Sequence, residues 1–376
     1  MASFYYIYKA KSLTMTKRIL LLCCAAAVVL SASAQRVPDL PYVYTEASEF
    51  TLVGKLFPDT PNPYHRIDTA RFKGFTKKEN LQVRESSGIA VAFRTNSKSV
   101  TVKTEFGQRE DLSATPDIAS QGYDLYIRQE GRWLYAGSAP RNKQFTLVAP
   151  VANMDGSWHD CLLYLPLLSE ERSVQIGIEE GTQIEALPMP FRSRVAIFGS
   201  SFTHGICASR SGMTYPAQFT RNTGIQLLSL GCSGNCKLQP YFAAALAEAD
   251  VDAFIFDSFS NPSPKEVHER LFPFIETIQA AHPGKPLIFQ KTIYRENRNF
   301  NQEEDLKERQ RAHMADSLMN IAVKRYKDVY YIKTNATDEH HDSSVDGIHP
   351  GDHGYTLWAE SIEKKVLQIL RKYGIR

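Results

Sequence analysis

Apolar positions recur with two different patterns along the chain, and the change between them divides it. From about Tyr64 to Glu185 they fall in short β-rich runs: 89–93, 100–104, 125–127, 145–148, 161–165 and 174–178. Turn formers such as Thr95-Asn96, Glu130-Gly131 and Asp155-Gly156 separate these runs, and no long amphipathic helix intervenes. Many short strands joined by turns predict an antiparallel sandwich. Residues 36–62, with Pro38, Pro41, Pro58 and Pro61, predict an irregular lead-in on the surface.

Beyond the stiff junction Pro188-Met189-Pro190 the pattern alternates between strand and helix. Strands are predicted over 195–198, 225–230, 253–256, 286–292 and 329–333. A helix opens at Thr214-Tyr215-Pro216 and closes at Gly224, and another covers 243–249. Ser263-Pro264-Lys265-Glu266 has the form of a capping box, with Val267, Leu271, Phe274, Ile275 and Ile278 following on one face. Helices over 303–326 and 355–373 complete the series. Strict alternation predicts a parallel sheet flanked by helices, so two domains are expected, 36–187 and 190–376. In such sheets the site lies at the carboxyl ends of the strands. Gly199–Ser201, Gly231–Asn235 and Ser258–Asn261 each follow a predicted strand and should converge there.

The 376 residues suit two domains, and 43% hydrophobic with 23% charged residues is ordinary for a globular chain. A net charge of +3 gives no reason to expect nucleic acid or an anionic membrane as partner. The N-terminus changes the picture more. Met15-Thr16-Lys17-Arg18 is basic, Ile19–Leu30 is apolar apart from Cys23 and Cys24, and Ala32-Ser33-Ala34 supplies small residues. This predicts a signal peptide over 1–34, a mature start near Gln35, and a secreted, periplasmic or cell-surface protein. The apolar run is shorter than the roughly 20 residues a membrane span needs, so no stable membrane insertion is expected after cleavage. Cys161, Cys207, Cys232 and Cys236 remain. Export allows a disulfide, but spacing assigns none; Cys232-x-x-x-Cys236 is not a zinc-ligand spacing by itself, and no CxxC is present.

Gly199-Ser200-Ser201 ends a buried-strand pattern with two candidate serine nucleophiles. Asp346-Gly347-Ile348-His349-Pro350 places a carboxylate three residues before an imidazole. A serine needs a neighbouring base, and His349 can serve while Asp346 holds its other N–H. The plain alternatives are a turn at Gly-Ser-Ser and a solvated loop over 338–353. The loop's His340, His341, Asp342, Asp352 and His353 also allow a metal site, but no HxxxH pair lies on a helix. Neither a metal nor a cofactor is expected. No Gly-x-Ser-x-Gly surrounds Ser201, which argues against an α/β-hydrolase elbow.

Four blocks in order, Phe198-Gly199-Ser200-Ser201 with Gly205, Leu230–Asn235, Ser258–Asn261 and Asp346–Pro350, make residues 190–376 resemble the SGNH/GDSL hydrolase superfamily. Gly122-Tyr123-Asp124-Leu125-Tyr126 is similar to the signature of its subgroup with an N-terminal GxDLY sandwich. The resemblance implies a flavodoxin-like three-layer α/β/α catalytic domain behind a jelly-roll-like all-β sandwich. It implies Ser201 as nucleophile, His349 and Asp346 as its partners, and an oxyanion hole from Ser201, Gly234 and the Asn261 amide. Ser200 stands where the superfamily usually has aspartate. Within the signature, Asp124 reads as a turn residue and Tyr123 and Tyr126 as packed aromatics. An exposed Trp158 could stack on a sugar. The function implied is a secreted serine esterase that removes a small acyl group, acetyl above all, from a carbohydrate. The alternatives are a lipid-acting esterase of the lysophospholipase or platelet-activating-factor-acetylhydrolase kind and a non-catalytic glycan-binding surface protein.

Overall fold

The computed structural model describes residues 40–139 and 147–376. The predicted leader and its junction at Gln35 lie outside the described residues, as do Phe145 and Thr146. The N-terminal half supplies β1 (Tyr42–Glu46), β2 (Thr51–Val53), β3 (Ala90–Thr95), β4 (Val100–Arg109) and β5 (Tyr123–Gln129). It continues with β6 (Arg132–Ala139), β7 (Leu147–Val151), β8 (His159–Tyr164), β9 (Ser169–Glu179) and β10 (Ile184–Ala186). These form two antiparallel sheets, ordered β1-β9-β4-β7 and β10-β3-β8-β5-β6, with β2 beside β3. Alternate residues of both sheets, among them Val91, Phe93, Val102, Leu125, Leu163, Val174 and Ile176, share one buried core. Burying each such side chain contributes about 1.5–3 kcal/mol. The N-terminal half is a β-sandwich.

The lead-in is not irregular throughout. Tyr42–Glu46 pairs along its whole length with β9, from Tyr42↔Glu179 to Glu46↔Gln175. Its run Tyr-Val-Tyr-Thr has high strand preference, and an edge position tolerates the flanking prolines. Two short helices also interrupt the strands, α1 (Lys77–Gln82) and α2 (Asp117–Ser120). A full capping box sets the start of α1, with Thr76 accepting from the Glu79 N–H and Glu79 accepting from the Thr76 N–H.

Pairing turns parallel from β11 (Arg192–Gly199) onward, through β12 (Ile225–Gly231), β13 (Ala253–Asp257), β14 (Leu287–Gln290) and β15 (Val329–Ile332). The order β12-β11-β13-β14-β15 is the 2-1-3-4-5 order of a flavodoxin-like doubly wound sheet. The interleaved helices are α3 (Ser201–His204), α4 (Tyr215–Thr223), α5 (Pro240–Ala247), α6 (Pro264–Ala281), α7 (Gln302–Arg325) and α8 (Asp352–Lys372). Both faces of β11 are covered, which explains its unbroken apolar run. Val195 and Ile197 pack with Tyr215, Phe219, Trp358 and Ile362 of α4 and α8. Ala196 and Phe198 pack with Phe242, Ile275 and Met319 of α5, α6 and α7. Strand order reverses about β11, so a crevice is expected at its carboxyl end.

The halves also contact each other. Asp124 lies inside β5, only 1% exposed, rather than in a turn. Its Oδ2 accepts from Arg210 Nη1 at 2.7 Å and from the Gly212 N–H at 2.8 Å. Arg210 also donates to the Tyr126 hydroxyl at 2.7 Å. A buried carboxylate needs such partners, and the second half of the chain supplies them. Tyr123 and Tyr126 are buried as expected. Trp158 is 41% exposed, with the Arg94 guanidinium 5.3 Å from its ring centre.

Candidate active site

Ser201 begins α3 immediately beyond β11 and is nearly buried. Ser200 caps that helix, its Oγ accepting from the Phe202 N–H at 3.2 Å. Ser200 in turn donates its own N–H and hydroxyl to Asp257 Oδ2, at 3.1 and 2.8 Å. Thr203 Oγ1 donates to the same oxygen at 3.0 Å. Asp257 ends β13 and pairs in register with Gly199. A buried carboxylate from the neighbouring strand therefore holds the turn that presents Ser201. Burial pushes its pKa up to about 6, against the pull of the Ser200 and Thr203 hydrogen bonds. Sequence reasoning missed Asp257. The available signal was an acidic residue at the carboxyl end of an otherwise apolar buried strand.

The loop before α8 brings the imidazole to this serine. His349 Nε2 lies 2.9 Å from Ser201 Oγ, and His349 Nδ1 lies 2.8 Å from Asp346 Oδ2. The other Asp346 oxygen accepts from the backbone N–H groups of Ile348 and His349, at 2.9 and 2.7 Å. Burial raises the Asp346 pKa, but these hydrogen bonds and the facing His349 outweigh it, leaving the carboxyl below its usual range. An ionised Asp346 can only accept, so Nδ1 carries the ring proton and Nε2 presents a lone pair to Ser201. Phe202 supports the ring edge-on, 5.6 Å between centres. Asp346, His349 and Ser201 thus form one continuous hydrogen-bonded relay.

Two further loops reach the same end of the sheet. The Cys232 N–H donates to Gly199 O at 2.9 Å, tying the end of β12 to the end of β11. A Cβ at Gly231 would lie 2.2 Å from the His204 backbone nitrogen, so only glycine lets β12 approach α3 this closely. Gly234 follows with φ +73° and is exposed. Asn261, after β13, accepts the Cys236 N–H on its Oδ1 at 3.2 Å. That bond assigns the amide oxygen and leaves the Nδ2 donors facing away from Cys236. Ser201, as the first residue of α3, has a backbone N–H with no intrahelical acceptor.

Other polar groups surround this set. Arg295 donates to Ser260 O at 2.8 Å and to Glu308 at 3.0 Å, bracing the loop that carries Asn261. Cys161, Cys207, Cys232 and Cys236 are free and buried. Cys207 lies beside the relay, its sulfur within 4.8 Å of a carboxylate oxygen of Asp346 and a ring nitrogen of His349. Burial and the Asp346 charge raise its thiol pKa to about 12, so it is a protonated neighbour. His353 pairs with Asp338 at 3.0 Å and His341 packs on Tyr294, away from a shared centre.

Among the described residues no helix is long and apolar enough to cross a membrane. Residues 192–368 match the GDSL-like lipase/acylhydrolase family, and residues 41–184 match the GxDLY N-terminus of SGNH-hydrolase-type esterases. No curated protein matches the chain. A solved structure described as a GDSL-like lipase from Bacteroides ovatus is 34% identical, with a TM-score of 0.85 over 88% of this chain and 98% of its own. More distant relatives share the fold alone. One is a salicylyl-acyltransferase from a tetracycline biosynthetic pathway (19% identity, TM-score 0.65, 89% and 99% covered). Another is a family two carbohydrate esterase from Clostridium thermocellum (14%, 0.56, 77% and 93%). Four sequence blocks, the sheet order and these matches agree: the chain belongs to the GDSL-like lipase/acylhydrolase family, in the SGNH-type esterase group that carries a GxDLY N-terminal part.

Proposed function

We propose that this protein is a secreted serine esterase that removes a small acyl group, acetyl above all, from an oxygen on a carbohydrate. The observation that carries the reading is the relay of 2.9 Å from Ser201 to His349 and 2.8 Å from His349 to Asp346. In this reading Ser201 Oγ attacks the ester carbonyl while its proton passes to His349 Nε2, and Asp346 steadies the imidazolium. The tetrahedral oxyanion accepts from the Ser201 and Gly234 backbone N–H groups and from Asn261 Nδ2, all neutral donors. Collapse expels the sugar alkoxide, which takes the proton from His349 and leaves an acyl-enzyme on Ser201. Water then repeats the sequence with His349 as base, releasing the carboxylic acid and restoring Ser201.

The division into a sandwich at 36–187 and a catalytic domain at 190–376 belongs to the same reading. The switch from antiparallel β10 to parallel β11 supports it. Export is supported by the basic and apolar pattern of residues 15–34. The test is acetate release from a panel of acetylated glycans, with wild type and Ser201→Ala side by side. Turnover by wild type alone is expected. Full activity in Ser201→Ala defeats the assignment. A lipid-acting esterase is the second reading, favoured by exposed Val345 beside Asp346 and by exposed Phe300 and Leu306. Rising kcat/KM through a series of longer acyl chains would select it.

A further inference from the structure

The reading of Gly234 as an oxyanion donor leaves a physical problem. Gly234 is exposed, and a side chain at this position would meet nothing within 4 Å, so packing does not hold its N–H in place. The local turn shows what must be held. The Asn235 N–H donates to Cys232 O at 3.0 Å, Gly234 has φ +73°, and Ser233 is not among the residues with positive φ. This is a type II turn with Ser233 and Gly234 at its centre. Types I and II differ by a flip of the central peptide, here the Ser233–Gly234 peptide. In a planar trans peptide the Ser233 C=O and the Gly234 N–H point in opposite directions. Whatever grips Ser233 O therefore sets the direction of the Gly234 N–H.

That grip comes from the N-terminal half. Gln82 Nε2 donates to Ser233 O at 2.9 Å, and Asn235 Nδ2 donates to Gln82 Oε1 at 2.8 Å and to Ser233 O at 3.1 Å. The second Gln82 amide hydrogen faces Glu110, 3.3 Å from its Oε1. Gln82 is fully buried at the end of α1. Arg66, also fully buried, donates to the Gln82 backbone carbonyl and to Gly231 O, so one guanidinium ties α1 to the root of the same loop. Glu79 of α1 accepts from Gln239 Nε2 and the Tyr241 hydroxyl, both at 2.9 Å, just beyond the loop. A carbonyl that accepts two hydrogen bonds also polarises its own peptide and strengthens the opposite N–H as a donor.

We propose that Gln82 is a positioning residue for catalysis: it locks the Ser233–Gly234 peptide in its type II orientation and so keeps the Gly234 N–H turned toward the reacting carbonyl. This rests on the esterase reading above. It assigns the sandwich half a part in turnover, although every residue of the relay lies in the other half.

The test uses the full chain and the variant Gln82→Met, which keeps length and volume but neither donates nor accepts. Activity on an aryl acetate is measured per active site titrated with a fluorophosphonate, together with the thermal midpoint. The expected result is a kcat lowered about tenfold or more with KM within about threefold, as loss of aim at one oxyanion donor requires. Asn235→Ala is expected to lower kcat in the same way. The double variant is expected to be no worse than Gln82→Met alone, because both side chains act through one peptide. If Gln82→Met does not fold, Asn235→Ala decides the matter by the same criterion. Wild-type kcat per titrated site, with only the midpoint or the titratable fraction reduced, overturns the proposal and leaves a purely structural role. Ser201→Ala separates the two levels. Residual full activity there overturns the esterase reading and this inference with it, whereas a dead Ser201→Ala beside an unimpaired Gln82→Met overturns only the inference.

Discussion

Truncating Asn261 separates catalysis from structure at one residue. Its Oδ1 accepts the Cys236 N–H at 3.2 Å, and under the proposed function its Nδ2 is the oxyanion donor. Asn261→Ala deletes both functions. Loss of one oxyanion donor raises the barrier by about 3 kcal/mol, or roughly 10²–10³ in kcat. The Cys236 N–H left without its acceptor costs a further 1–3 kcal/mol or so of folding stability, which lowers the thermal midpoint but not the rate of a folded molecule. Asn261→Asp isolates the two effects. It restores the acceptor, so the midpoint should recover toward wild type. It also places an anion where the oxyanion forms, so kcat should fall at least as far as in the alanine variant. The assay is kcat and KM on an aryl acetate per titrated site, with a thermal melt of each variant. An Asn261→Ala enzyme with kcat within about threefold of wild type would refute the reasoning, because no oxyanion donor is that dispensable.

Gly231→Ala should cost several kcal/mol in urea unfolding, since its Cβ would sit 2.2 Å from the His204 backbone nitrogen, which cannot swing aside. Near wild-type stability there would mean that the contact between β12 and α3 is loose. Asp257 predicts a pH signature. Its pKa of about 6 in the folded chain exceeds the ~3.9 of an unfolded aspartate. The native state therefore holds the extra proton between those values, and this group's stabilising contribution is full below about pH 4 and lost as pH rises through 6. Unfolding free energies of wild type and Asp257→Asn from urea titrations should diverge by about 2 kcal/mol from roughly pH 4 to 7, with wild type losing ground as pH rises; a constant difference contradicts it. Arg210→Met leaves the Asp124 carboxylate buried without its cation and should destabilise by about 3 kcal/mol or more. Adding Asp124→Asn should recover part of that loss, and no recovery would count against the pair.

What the sequence shows of this fold is what short-range physics determines. The run Val195–Phe198 is apolar on both faces, so a buried parallel strand was readable. Ser263 and Glu266 cap α6 as their spacing indicates, and Gly224 ends α4 at φ +75°. The relay was legible because Asp346 and His349 lie three residues apart and bond within one loop. Residues whose meaning depends on a partner far along the chain were not legible. Tyr42–Glu46 becomes a strand only through β9, and Asp124 becomes an interior residue only because Arg210 arrives from the second half. Ser200 looked like a departure at the first block. The register of β11 on β13 gives it a role here, since Asp257 of the next strand accepts hydrogen bonds from Ser200 and Thr203. Gln82 could not be singled out, because its partner is a peptide about 150 residues away.

Labelling the full chain with a fluorophosphonate and locating the adduct by peptide mass spectrometry tests the nucleophile assignment most directly. One adduct is predicted, on Ser201, formed in step with the loss of aryl acetate hydrolysis and absent from Ser201→Ala. An adduct on Ser200, or complete inhibition with Ser201 unmodified, would contradict it.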